Sequence, residues 1–105
     1  MVRQGSVSLR EIPHSGTKLY MNYYTYVLKS LKNNNIYVGS TQNIEKRIDL
    51  HNAGKVKLTK AYKPWELLEH EAHNSKNEAI MRERFLRTHQ QKEILKKKYG
   101  LVAKW

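Results

Sequence analysis

The chain contains no cysteine. That excludes disulfides, thiolate zinc ribbons and cysteine nucleophiles together. No apolar run approaches the roughly 20 residues needed to span a bilayer. The opening Met1-Val2-Arg3-Gln4-Gly5-Ser6 lacks the apolar stretch of a secretory signal. These absences fit a cytoplasmic protein. Acidic residues are scarce as well: 9 Asp and Glu stand against 20 Lys and Arg, a formal net charge of +11 over 105 residues. A pI near 10.0 makes a polyanion the expected partner, although small proteins can also be basic merely for solubility. Nucleic acid fits better than a membrane surface, because no basic amphipathic helix with a wide apolar face is evident. Apolar residues, at 39%, suffice for one modest core in a single domain.

Residues 1–20 carry Gly5, Ser6, Ser8, Pro13, Ser15 and Gly16 with few large apolar groups, and no period persists there. The composition predicts a mobile or weakly ordered leader, with Met21 as an alternative start of translation. A patterned domain follows over residues 21–92, then a basic C-terminal helix and tail over 93–105. No internal repeat is visible.

Tyr23 to Leu31 is rich in aromatic and branched residues, which favour strand. Lys32-Asn33-Asn34-Asn35 signals a turn, and Ile36-Tyr37-Val38-Gly39 resumes strand, so the pair reads as a β-hairpin. Thr41 and Asn43 are both suitable N-caps for a helix over Ile44–His51, with Gly54 as its stop. Arg47 and His51 lie four apart and so share a side of that helix. Lys55, Lys57, Lys60 and Lys63 stud the connection that follows. From pattern alone, residues 65–72 stay undecided: Glu, Leu and Ala favour helix, while Pro64 suits a helix start or the approach to a strand. Ser75-Lys76-Asn77-Glu78 is a capping box that predicts a helix from Asn77 to about His89. Ala79, Ile80, Glu83 and Leu86 fall on one side of it, so Glu83 is an acid among apolar neighbours. Residues 91–99 continue as a basic helix ended by Gly100.

Tyr26, Tyr37, Arg47, His51 and Glu83 form the constellation that could carry chemistry. Phosphodiester hydrolysis needs an activated water, a cation against the phosphate and commonly a metal. Glu83 could hold Mg²⁺ or Mn²⁺, since Mg²⁺ takes few protein ligands and keeps several waters. Arg47 could grip phosphate oxygens with two donors. Either tyrosine could take a proton from water if nearby positive charge lowered its pKa from about 10. His51 could hydrogen-bond a tyrosine hydroxyl or the attacking water. Each has a duller explanation. The tyrosines could simply be half-buried strand residues, Arg47 a solvated cation, His51 a helix-end histidine favoured by the dipole, and Glu83 an i,i+4 partner of Arg87. His70-x-x-His73 lacks the further ligands of a zinc site, and on a strand the two would face opposite sides. Lys96, Lys97 and Lys98 suit a solvated face or a salt-sensitive phosphate track.

From Tyr23 to about Lys92 the chain resembles the GIY-YIG nuclease family, nearest to small stand-alone members related to the nuclease module of the excision-repair subunit UvrC. Tyr24-Thr25-Tyr26 corresponds to the first motif and Tyr37-Val38-Gly39 to the second. Gly39-Ser40-Thr41, Glu45-Lys46-Arg47, His51-Asn52, Ala53-Gly54-Lys55, Thr59-Lys60, Pro64-Trp65-Glu66-Leu67, Ser75-Lys76, Glu78-Ala79 and Arg82-Glu83-Arg84 follow in order. The resemblance implies an α/β (α+β) fold with a three-stranded antiparallel sheet flanked by helices, and it makes residues 65–71 the third strand. It further implies a DNA endonuclease, with an association to DNA repair, in which Tyr37 activates water and Tyr26 assists. Arg47 would contact the phosphate, His51 support the site and Glu83 bind one divalent metal. Ser40, Lys46, Lys55, Lys57 and Lys60 would contact nucleic acid.

Two departures stand out. Tyr24-Thr25 replaces the Gly-Ile of the first motif, and Ser40 stands where repair-type members can carry a lysine. The competing expectation is a nucleic-acid-binding module of the same fold with little cleavage, and a third is a basic protein-interaction or RNA-associated domain. No separate recognition domain is evident, so structured or non-specific DNA is the expected substrate, with or without a protein partner.

Overall fold

A computed structural model describes residues 23–101. The leader expected at 1–20, the start at Met21 and the tail beyond Leu101 lie outside the described residues. The predicted hairpin forms from β1 (Tyr23–Ser30) and β2 (Ile36–Thr41). Its turn is built by side chains: Ser30 Oγ accepts from the amides of Lys32 and Asn33 at 3.0 and 3.1 Å. Asn34 takes the left-handed φ of 62° that the turn requires, a conformation asparagine tolerates better than most residues.

Helix α1 (Ile44–Asn52) is capped by Asn43, whose side chain accepts from the Lys46 amide at 3.0 Å. Of the two predicted caps, Thr41 instead braces Asn43, accepting its amide at 3.1 Å. Gly54, at φ 76°, ends the helix, and the Lys55 amide closes it onto the Leu50 carbonyl at 3.0 Å. After a short 3-10 turn at Lys60–Tyr62 comes β3 (Trp65–His73). It pairs antiparallel with β1 from Tyr23↔His73 to Ser30↔Trp65, with a bulge between Val27 and Leu28. This pairing settles the segment left open by pattern: ladder bonds and a buried Trp65 outweigh a helix preference of a few tenths of a kcal/mol per residue.

Helix α2 (Lys76–Leu86) starts at Ser75, whose hydroxyl accepts from the Glu78 amide at 3.2 Å. It ends earlier than the spacing predicts. Thr88 caps a separate helix, α3 (His89–Lys98), by accepting from the Gln91 amide at 3.3 Å. A side-chain cap at Thr88 stabilises a break where periodicity alone would run on.

The sheet order is β2-β1-β3, and it is covered on both sides. On one face Tyr26, Leu28 and Trp65 pack with Tyr37, Ile48 and Leu67, under α1. On the other, Val27, Ile36, Val38, Leu86 and Leu95 form a second cluster, under α2 and α3. Each fully buried aliphatic side chain contributes about 1.5–3 kcal/mol. The result is the expected α+β fold, with β2 left as an edge strand. Among the described residues no helix is long and apolar enough to cross a membrane.

Candidate active site

The hairpin register builds one wall of the site. Tyr26 lies opposite Gly39 and Leu28 opposite Tyr37, so both motif tyrosines point to the α1 face. Gly39 makes room for them: a Cβ there would sit 2.6 Å from Tyr26 Cζ and 3.1 Å from Tyr37 Cε2. His51 descends from the last turn of α1 between the rings. Its centroid is 5.8 Å from that of Tyr26 and 5.2 Å from that of Tyr37, both edge-on. Trp65 closes the far side, 6.2 Å from Tyr37.

The hydrogen bonds assign the histidine tautomer. Thr59 Oγ1 donates to the Val56 carbonyl at 3.4 Å, so it accepts from His51 Nδ1–H at 2.7 Å. Nε2 is then the bare nitrogen and accepts from the Tyr26 hydroxyl at 2.9 Å. His51 and Thr59 are buried, and Trp65 Nε1 fixes the Thr59 backbone by donating to its carbonyl at 3.0 Å. Burial, reinforced by the Arg47 charge, lowers the His51 pKa to about 4. The imidazole is therefore neutral at physiological pH, as its two bonds require. Burial also raises the Tyr26 pKa to about 12, against the pull of the Arg47 guanidinium beside its hydroxyl. Tyr26 is 1% exposed and stays protonated; Tyr37 is only half-buried, so it is the more exposed of the two tyrosines.

Arg47, one turn before His51, is half-buried. Its Nε is buried with no hydrogen-bond partner among the described residues. A half-buried guanidinium with a spare donor is a candidate seat for an anion. Across the β2 edge stands the carboxylate. Glu83 Oε1 accepts from the Ser40 hydroxyl at 2.7 Å, and Oε2 lies 3.4 Å from Arg87. Arg87 joins the two halves. It reaches around the edge strand, donates from Nε to the Val38 carbonyl at 2.9 Å and lays its guanidinium 5.0 Å from the Tyr37 ring centroid. Spacing alone offers Arg87 as an i,i+4 partner of Glu83. The pairing exists, but the residue also touches Tyr37.

The predicted residues Tyr26, Tyr37, Arg47, His51 and Glu83 thus gather around β2. Ser40 is spent on Glu83. Lys46, Lys55, Lys57 and Lys60 are exposed on α1 and the loop after it, in no ion pair among the described residues. Two residues that the sequence offers only as part of the resemblance, Thr59 and Asn52, take positioning roles besides Arg87. Thr59 sets the imidazole, and Asn52 clamps the Trp65 backbone, accepting its amide at 2.6 Å and donating to its carbonyl at 3.2 Å. Asparagine after a histidine and threonine in a basic loop carry no local signal of such roles. His70 meets Tyr24 edge-on, whereas His73 bonds Thr25 Oγ1 at 2.9 Å. Neighbouring β1 residues face opposite ways, so these two histidines diverge.

Glu83 can be tested as a metal ligand from its surroundings. Among the described residues no group of three or more His, Asp or Glu could hold an ion. A carboxylate has roughly four lone-pair sites, and Ser40 and Arg87 engage two. Hard oxygens remain for Mg²⁺ or Mn²⁺, provided water and substrate phosphate complete the shell. The residues fit a metal held that way.

The family model described as the GIY-YIG catalytic domain matches residues 22–99. A UPF0213 protein of Staphylococcus haemolyticus is 43% identical over 75 residues, spanning 70% of this chain and 90% of that protein. The UPF0213 protein YazA of Bacillus subtilis is 38% identical over 76 residues, 70% of this chain and 76% of its own. A UPF0213 protein of Staphylococcus saprophyticus is 37% identical over 75 residues, again 70% of this chain and 90% of its own. No solved structure matches the chain.

Proposed function

The chain belongs to the GIY-YIG catalytic domain family, a nuclease superfamily, and on that premise we propose that it is a metal-dependent DNA endonuclease acting through Tyr37, Tyr26, Arg47, His51 and Glu83. One observation carries the reading. Arg47 Nε is a buried donor without a partner among the described residues, and the Arg47 charge acts on both Tyr26 and the neutral His51. The side chain as a whole is half-buried, and a scissile phosphate would supply the missing acceptor as the guanidinium turns toward it.

In this reading Arg47 grips the phosphate and offsets the charge that grows on its oxygens. Tyr37 carries the more exposed phenol; it first releases its own proton to solvent, with the Arg87 guanidinium 5.0 Å from its ring centroid, and the phenolate so formed takes the proton of the attacking water. Tyr26, held protonated and bonded to His51 Nε2 at 2.9 Å, orients the pocket rather than acting as base. His51 stays neutral and transmits the Thr59 anchor to Tyr26. Glu83 would hold one Mg²⁺ or Mn²⁺, which as a Lewis acid stabilises charge on the leaving oxygen. Ser40 keeps the carboxylate aimed. Lys46, Lys55, Lys57 and Lys60 offer sequence-independent phosphate contacts, which suits structured or non-specific DNA.

The second reading, a binding module that cleaves little, draws support from Glu83, both of whose oxygens already have partners. Cleavage of linear, branched and single-stranded DNA, with Mg²⁺, Mn²⁺ or chelator, separates the two. The expected outcome is metal-dependent nicking that falls by about 10²-fold or more in Glu83→Ala and Tyr37→Phe, the scale of losing one transition-state donor or one proton transfer. Binding without nicking on every substrate would favour the module, and cleavage that survives both substitutions would reject the site.

A further inference from the structure

Arg87 has more donors than its visible partners use. A guanidinium carries five N–H groups in a fixed fork. The Val38 carbonyl takes Nε at 2.9 Å. The contact from Nη1 to Glu83 Oε2, at 3.4 Å, is longer than the roughly 2.7–2.9 Å of a tight charge-assisted bond. The side chain is 38% exposed against 19% for Glu83. It therefore stands on the solvent side of the pair, against the Tyr37 ring. A structural cap of the edge strand would need only Nε. Of the terminal fork, only Nη1 has a partner among the described residues, the long contact to Glu83.

We propose that Arg87 is a second phosphate-binding cation of the site, which Glu83 holds loosely in the free protein and which engages the strand phosphate beside the one at Arg47. The ligand class is a nucleic-acid backbone lying across the β2 edge, where the two non-bridging oxygens of a phosphodiester suit a planar, two-pronged donor. The positive field around Arg87 supports this. Lys92, on α3, has its pKa lowered by burial and then by the charges of Arg87 and Lys96. The compensation nearby is thin: Lys96 meets Glu93 only at 3.8 Å. An anion settling at Arg87 relieves that repulsion.

The proposal rests on the nucleic-acid reading of the site but not on cleavage, so it is tested without metal. The full chain, in chelator, is titrated against a dye-labelled single-stranded oligonucleotide over a series of salt concentrations. Wild type is compared with Arg87→Gln, Arg87→Lys and Arg84→Gln. Arg84 is an exposed cation of the same helix, so its loss removes equal net charge. Arg87→Gln is expected to weaken binding about tenfold, the scale of one charged hydrogen bond. It should also flatten the log K against log salt slope by about 0.7. Arg84→Gln should change both far less. Arg87→Lys, which keeps the charge and is the variant to use if Arg87→Gln melts early, should keep the slope while losing affinity. Equal effects of Arg87→Gln and Arg84→Gln, or wild-type affinity in Arg87→Lys, would overturn the assignment, as would a wild type that binds no oligonucleotide. An Arg87-dependent wild-type complex that never nicks DNA would retain this site and sink only the endonuclease reading.

Discussion

His51 could have been a solvated histidine at a helix end. Instead it sits between two bonds that fix it as a neutral imidazole with Nδ1–H toward Thr59. Burial gives it a pKa near 4, while in the unfolded chain it titrates near 6.5. A histidine with a depressed folded pKa contributes fully above the unfolded value and loses that contribution as pH falls toward the folded one. Wild type should therefore lose stability relative to His51→Gln between about pH 6.5 and pH 4. Urea unfolding at stepped pH reads this directly, and parallel curves for the two proteins would mean the imidazole is not held neutral. Tyr26 and Tyr37 separate at the same scale. Their residue types are identical, but one is sealed beneath Gly39 and the other borders solvent. Only burial distinguishes the sealed phenol from the more exposed one.

At the scale of elements, the hairpin, the α1 start and the capping box at Ser75 were legible because local side chains enforce them. The turn after β1 is closed by Ser30 and Asn34, and each helix begins at an oxygen that accepts an amide. The third strand was not legible from pattern, since its Glu, Leu and Ala prefer helix; pairing with β1 overrode them. The break at Thr88 was missed because apolar periodicity ran through it and one hydroxyl decided it. The β1–β2 register makes Gly39 the element-level test. A methyl there would press on both site tyrosines. Gly39→Ala should cost about 1–3 kcal/mol by overpacking and push Tyr26 off His51. A urea midpoint and nicking rate matching wild type would show that the rings are not packed against this position.

Across the whole molecule, the sheet has a core on each face, and the site straddles the edge between them. Tyr26, Tyr37, His51 and Arg47 belong to the α1 side, while Glu83 and Arg87 come from α2 on the other. The two cores must therefore form together for the site to exist. Leu95 of α3 is 5% exposed and packs in the same cluster as Val27, Val38 and Leu86. Leu95→Ala should destabilise the protein by about 2–5 kcal/mol while unfolding remains a single transition. An unchanged midpoint would mean that α3 merely rests on the sheet.

By itself the sequence determined the charge, the strand-turn-strand and capped-helix segments, and five chemically capable residues in a recognisable order. Those are local properties: propensity, capping and same-face spacing act over a few residues and can be read along a line. Tertiary structure alone decided that Arg87 reaches over Tyr37, that Thr59 fixes the His51 tautomer and that Ser40 serves Glu83. Each of these joins segments brought together by strand pairing and by packing on both faces of the sheet. A contact around a sheet edge leaves no period in the chain that makes it.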